Sequence, residues 1–275
     1  MTSKPEILII NGIPLHVAVD GQKDAPALTF AHALSLDLRS FEQQAAVFRD
    51  RYRVVRLDLR GHGKTDVGGG PFSIEDLAGD IICLLNYLGI QRTHFVGSSL
   101  GGMVGMALAL GHRERLASLT FMASQGALPP ERIAAAQGNL DAMRASGAKP
   151  ETTLSEETEA MLARLLGKID EAKAPKTFDL LRMILSETTL FGQARAYEAI
   201  FGMNYDSRLA EIETPTLVLA GREDASTPPA RMQIYANGIA DARMIILDGA
   251  GHFPNIEKPD AFNNTLTAFL NSLPD

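Results

Sequence analysis

Short apolar runs separated by turn signals dominate the first third of the chain. Glu6–Ile10 and Leu15–Val19 flank Asn11-Gly12, a pair that tolerates positive φ at both positions and closes a two-residue hairpin between strands. Ala27–Phe30 reads as a buried strand ending in the loop Ala31-His32-Ala33-Leu34-Ser35. A helix is expected near Phe41–Arg49 and a strand over Tyr52–Asp58, closed by Asp58-Leu59-Arg60-Gly61-His62-Gly63. Ser73, with Asp76 three residues on, opens a second helix, in which Leu77, Ile81, Leu84, Leu85 and Leu88 keep helical spacing as far as Gly89. Thr93–Val96 is β-prone, Met103–Leu110 is long enough for a helix, and Leu116–Met122 is a further strand.

The pattern changes at about Gln125. From Pro129 to about Tyr205 there is no strand pattern. Leu154, Thr158, Met161, Leu162, Leu165 and Ile169 fall on one helical face, as do Phe178, Leu181 and Leu185, and Tyr197, Ile200 and Phe201 suggest another helix. Gly147 to Pro150 and Lys173 to Pro175 look like connectors. The alternation then resumes with a strand over Thr216–Ala220, the loop Gly221-Arg222-Glu223-Asp224 and a helix from about Thr227-Pro228-Pro229. Ala242–Leu247 is the last strand, Gly249-Ala250-Gly251-His252-Phe253-Pro254 a loop, and Pro259–Leu270 the final helix. Eight strand segments alternating with helices imply an α/β fold with a mostly parallel sheet covered on both faces. The expected division is a core of residues 1–125 and 206–275 and a helical insertion over 126–205, read either as a lid over an active site or as a peripheral decoration.

Composition narrows the class of function. At 275 residues the chain can bury one large core, or a core with a small appendage, and 45% hydrophobic and 21% charged content are ordinary for a globular protein. A net charge of −7 argues against nucleic-acid binding, which needs a basic face, yet leaves room for a locally basic pocket. Cys83 is the one cysteine and sits among apolar neighbours, so it reads as a small core residue rather than a reactive thiol, and no disulfide framework exists. The apolar run Ile7–Ile10 is too short for a signal peptide, and no run reaches the roughly 18 residues of a membrane span. These features point to a cytoplasmic protein that uses neither membrane nor nucleic acid; self-association into a homo-oligomer stays open. No His-rich or Cys-rich spacing appears, so no metal or other cofactor is expected.

The chemistry concentrates at Gly97-Ser98-Ser99-Leu100-Gly101-Gly102, between a strand and a helix. A strand that turns abruptly into a helix with G-x-S-x-G at the turn reads as a nucleophile elbow, in which strained backbone at Ser99 lifts its Oγ clear of the sheet. Gly97 and Gly101, two residues to either side, have no Cβ to crowd the strand or the helix. A serine hydroxyl needs a base, and the base needs a partner that fixes its tautomer. Asp224 and His252 follow the strands Thr216–Ala220 and Ala242–Leu247, on the sheet edge where such folds place their sites. Asp224 before Thr227-Pro228 could also simply cap a helix; Glu223 is a rival acid, and Asp248 is nearer His252 in sequence but would point from a different part of the loop. His16, His94 and His112 read as structural, and His62 as a brace of its turn. Two backbone N–H groups must converge on a developing oxyanion; Leu100 supplies one, and Leu34, or else Ala33, the other.

Five segments together resemble the α/β-hydrolase superfamily along nearly the whole chain: His32-Ala33-Leu34, Asp58–Gly63, Gly97–Gly102, Gly221–Asp224 with Thr227-Pro228, and Gly251–Pro254. The resemblance implies an α/β-hydrolase fold with a helical cap, Ser99 as nucleophile, Asp224 as acid and His252 as base. The arrangement is most similar to 3-oxoadipate enol-lactonases and related enzymes of aromatic-compound catabolism. It implies a cofactor-independent serine esterase or lactonase acting on a small molecule through an acyl-enzyme. Two features depart from that pattern: His32-Ala33 stands where His-Gly is usual, and the chain has no Trp. Haloalkane dehalogenases and epoxide hydrolases carry Asp where Ser99 stands, which disfavours them. Hydrolysis of a carbon–carbon bond, as in meta-cleavage product hydrolases, and a non-catalytic ligand receptor are the alternative readings. An acid-bearing lactone would call for a cation in the lid, for which Arg182 and Arg195 are the candidates.

Overall fold

The hairpin signal at Asn11-Gly12 is realised in a computed structural model, which describes residues 3–145, 149, 151–155, 157–166 and 169–274. Asn11 and Gly12 take φ of 50° and 78°, as a two-residue hairpin with matching twist requires, and join strands β1 (Glu6–Ile10) and β2 (Ile13–Asp20). Then come β3 (Ala27–Ala31), α1 (Glu42–Phe48), β4 (Arg53–Leu57), α2 (Ile74–Tyr87), β5 (Thr93–Ser98), α3 (Leu100–Gly111) and β6 (Leu116–Met122). Four helices follow: α4 (Pro130–Ala145), α5 (Thr158–Leu166), α6 (Pro175–Glu187) and α7 (Leu190–Phe201). The chain returns to the sheet with β7 (Thr216–Gly221), α8 (Pro229–Gly238), β8 (Ala242–Leu247), α9 (Pro254–Glu257) and α10 (Pro259–Asn271).

The eight strands form one sheet in the order β1-β2-β4-β3-β5-β6-β7-β8. Only the pairs involving β2 are antiparallel; the other five are parallel. Side chains of successive strand residues point to opposite faces, and the two faces are filled differently. Val55, Leu57, Phe95, Leu119, Phe121 and Val218 pack under α2, α3 and α8. Leu28, Phe30, Val54, Val96, Leu217 and Leu219 pack under α1 and α10. Burial on both sides explains why these strands read as continuous apolar runs rather than as alternating ones. All the crossovers leave the C-terminal ends of β3, β5, β6, β7 and β8 on one edge, and the loops there carry the residues singled out above.

The helical insertion is fastened to that edge. A third apolar cluster joins Leu162 and Leu166 of α5 and Phe178, Leu181, Ile184 and Leu185 of α6 to Ala33, Leu36 and Phe253 in two of the edge loops and to Ile256 of α9. Helix α4 is not signalled by periodicity. Its face is largely exposed, with Leu140 the one buried apolar side chain among its described residues, so no apolar stripe marks it. Leu154 and Ile169 lie just outside α5, and the expected helix near Phe41–Arg49 begins as a 3-10 turn over Leu38–Phe41. Lys173 ends a short 3-10 turn that runs into α6, and of Gly147 to Pro150 only Lys149 is among the described residues.

Candidate active site

The turn from β5 into α3 puts Ser99 at φ 47° and ψ −106°, a conformation that an L-residue adopts only when its surroundings impose it. The surroundings are backbone. A Cβ on Gly97 would lie 2.2 Å from the carbonyl of Gly101, and one on Gly101 would lie 2.1 Å from the carbonyl oxygen of Ala31. Strand, elbow and helix are thus pressed together as only glycine permits. Hydrogen bonds fix the turn further. The Ser99 N–H donates to Met122 O (2.9 Å), the Ser124 hydroxyl donates to Ser99 O (2.7 Å), and the Gly101 N–H donates to His32 O (3.0 Å). The last of these ties the start of α3 to the loop after β3. Sequence reasoning did not single out Ser124, because its only signal is proximity across two strands.

His32 shapes that loop. It is fully buried; its Nδ1–H donates to Ala33 O at 2.8 Å and its Nε2 accepts the Leu59 N–H at 2.9 Å. Burial, then the neighbouring His62 ring at 5.0 Å, drive its pKa down to about 3, so it stays neutral and keeps both bonds. His62 is buried and bonds Arg60 O, a brace within its turn; His16 bonds Asp58 and His94 bonds Ser118, all away from Ser99. Among the described residues the N–H groups of Leu34 and Leu100 have no protein acceptor. Leu34 lines the cavity beside Ser99, whereas the Leu100 side chain is buried and its N–H opens α3.

Asp224 follows β7 and meets His252, which follows β8, with Oδ2 at 2.9 Å from Nδ1. A carboxylate only accepts, so Nδ1 carries a proton, and in the neutral ring Nε2 then has the lone pair. Asp224 also accepts the N–H groups of Ser226 (2.8 Å) and Thr227 (3.0 Å) and the Thr227 hydroxyl (2.6 Å). Burial pushes its carboxyl up, but the bonds from His252 and Thr227 outweigh this and hold it down at about 2. Asp224 both caps its own turn and orients the imidazole. Glu223 also lines the cavity, and Asp248 pairs with Arg222 at the surface.

Ser99, Asp224 and His252 line one cavity of about 550 Å³, within the range of small-molecule sites. Its far wall comes from the insertion: Met161, Leu165 and Leu166 of α5, and Tyr197 and Ile200 of α7. Neither Arg182 nor Arg195 lines it. Arg182 is tied up on the surface by Glu159 and Glu171, and Arg195 pairs with Glu198 and lies over the Phe191 ring. Among the described residues the lining Arg is Arg132, near the start of α4, whose guanidinium donates to the carbonyl and hydroxyl oxygens of Ser226 at 3.1 and 3.2 Å. It escaped sequence analysis because α4 itself did. Among the described residues no cluster of three His, Cys, Asp or Glu side chains is placed to hold a metal, and no helix is long and apolar enough to cross a membrane.

Known proteins share this framework. The model of the alpha/beta hydrolase fold family matches residues 7–259. A 3-oxoadipate enol-lactonase of Acinetobacter baylyi is 32% identical over 96% of this chain and 96% of its own. The crystal structure of an enol-lactonase from Burkholderia xenovorans LB400 is similar with a TM-score of 0.87 and 31% identity, covering 97% of this chain and all of that one. A malate-bound thermophilic esterase from Thermogutta terrifontis gives the same TM-score at 25% identity, over 98% of this chain and 99% of that one. With the matched segment running from the first strand to the start of the last helix, the chain belongs to the α/β hydrolase fold family.

Proposed function

We propose that this hydrolase opens small carboxylic esters or lactones, of the enol-lactone kind, through an acyl-enzyme on Ser99. The observation that carries the reading is the His252–Asp224 bond of 2.9 Å beside a strained serine in one cavity. Ser99 Oγ attacks the substrate carbonyl carbon while His252 Nε2 takes its proton. The negatively charged oxygen that develops is held by the N–H groups of Leu34 and Leu100, each such donor contributing roughly 2.7–4 kcal/mol. As the carbon–oxygen bond breaks, His252 returns the proton to the leaving oxygen. In a lactone that oxygen stays attached to the acyl chain. Water then attacks the acyl-enzyme, with His252 again as base, and releases the free acid and Ser99. Asp224 stabilises the imidazolium in both halves.

The helical insertion, residues 126–205, acts in this reading as a lid that closes the far wall of the cavity and shields the acyl-enzyme from bulk water. Arg132 supports an acid-bearing substrate. Its present acceptors on Ser226 are neutral, and a substrate carboxylate would take the same donors in a stronger, charge-assisted bond. The experiment is covalent trapping: a slow p-nitrophenyl ester is mixed with the protein and the mass is read on quenching. A mass gain equal to the acyl group, mapped to Ser99 and lost in Ser99→Ala, is expected. Turnover of the ester by Ser99→Ala at the wild-type rate would refute the proposal.

A further inference from the structure

Glu257 is a half-buried carboxylate at this site to which the reaction above gives no part. It closes the short helix α9, and its side chain turns back onto the loop that carries the imidazole. Oε2 accepts the Gly251 N–H at 2.5 Å and Oε1 accepts the Phe253 N–H at 2.6 Å. The two bonds clasp the backbone immediately before and immediately after His252. On its other side the same loop is pressed against the end of β7, where a Cβ on Gly221 would lie 2.1 Å from Gly251 O. The backbone on either side of His252 is therefore held from two directions, and with it the direction of its Cα–Cβ bond, while Asp224 holds the ring.

The clasp is also a charge. Burial raises the Glu257 carboxyl above the ordinary range; the two N–H groups and His252 pull it back, and Asp224 pushes it up. His252 and Asp224 are thus the ionisable groups acting on it, while Lys258, next along the chain, extends its ammonium over Gly249. The imidazole sits in the field of two carboxylates, one bonded to its ring and one to the backbone of its two chain neighbours.

We propose that Glu257 is a positioning residue for the base, locking the Gly251–Phe253 backbone so that His252 faces both Asp224 and Ser99, and favouring the imidazolium by its charge. The proposal rests on His252 being the base of the reaction above. Glu257→Gln keeps the shape, removes the charge and turns one acceptor oxygen into an NH2 group facing an N–H. Glu257→Asp keeps the charge but is one methylene too short to reach both N–H groups.

Two measurements separate the parts: the His252 ring-proton resonances, assigned by their loss in His252→Ala and followed by NMR across pH, and kcat and KM for p-nitrophenyl acetate. Losing a carboxylate makes the imidazolium less stable, so the proton leaves at lower pH. In Glu257→Gln the ring signals are expected to titrate about one pH unit below wild type, and the acidic limb of kcat/KM to move the same way. In that variant kcat falls about tenfold or more, since small misplacements of a catalytic group are costly, with KM little changed. Glu257→Asp titrates as wild type but loses kcat, which tests the clasp alone should Glu257→Gln not fold. Ring signals of Glu257→Gln that titrate with wild type, or an unchanged kcat in Glu257→Asp, would overturn the proposal. A purely structural role lowers Tm without moving the titration. If wild-type protein fails to turn over the ester, the proposed reaction falls, while the NMR titration still decides the role of Glu257.

Discussion

Ser99 is held largely by main chain, whereas the helical insertion gives the cavity a wall of varied residues from α4, α5 and α7. Around the elbow, Gly97, Gly101 and Ala31 approach so closely that no methyl group fits between them, and carbonyls of Met122 and His32 accept from the turn. Across the cavity, Met161, Leu165, Tyr197 and Arg132 project from helices of the insertion, of which α5 and α6 are fastened to the edge loops by one apolar cluster and α7 packs into the sheet core through Ala196, Ala199 and Ile200. A main-chain framework cannot drift by small substitutions; it either keeps its geometry or loses it. A wall of side chains can be exchanged residue by residue at small cost to the fold. The first arrangement suits reacting groups, which need positions good to a fraction of an ångström, and the second suits recognition, which differs from one substrate to the next.

The sharpest way to break this comparison is on the sheet side. Asp224→Asn leaves the volume unchanged but no longer imposes the proton on Nδ1, and kcat is expected to fall by about 10⁴-fold. Steady-state kinetics on a small ester checks this, and a loss confined to KM would mean that the sheet edge, too, serves recognition.

The anchor of the insertion gives the next largest effect. Leu181 is fully buried in the cluster that fastens α5 and α6 to the edge loops. Leu181→Ala removes buried methyl groups at a cost of about 2–5 kcal/mol. Hydrogen exchange should quicken in α5 and α6 and leave β5 and β6 as they were. Equal acceleration across the sheet would show that the two regions unfold as one unit.

The smallest effect concerns the wall itself. Arg132→Ala should raise KM for an acid-bearing ester about tenfold, the equivalent of one lost charge-assisted bond, and leave KM for a neutral ester of the same size nearly unchanged. A parallel rise for both esters would assign Arg132 to holding the Ser226 loop rather than to reading substrate charge.

Much of the framework could be read directly from residue order. Asn11-Gly12 specifies its hairpin, the eight apolar runs specify the strands, and Gly97-Ser98-Ser99-Leu100-Gly101 specifies the elbow, because each depends on chain neighbours. Helix α4 was invisible for a related reason. Periodicity reports only a face that is buried, and the described side chains of α4 bury very little, so Arg132 went unread with it. Arg182 and Arg195 sit on helices that do pattern clearly, yet a helical pattern says which residues share a face, not which carboxylates wait opposite.

Local order along the chain thus determined the strands, the strained serine and the order of the candidate site residues. Only the folded sheet decided that Asp224 reaches His252 while Asp248 turns to Arg222, that Arg132 rather than Arg182 lines the cavity, and that Glu257 grips the loop that carries His252. The physical reason is range. Backbone propensity acts over a few residues, while these contacts depend on where several loops end in space, which pairing and packing of the whole sheet fix.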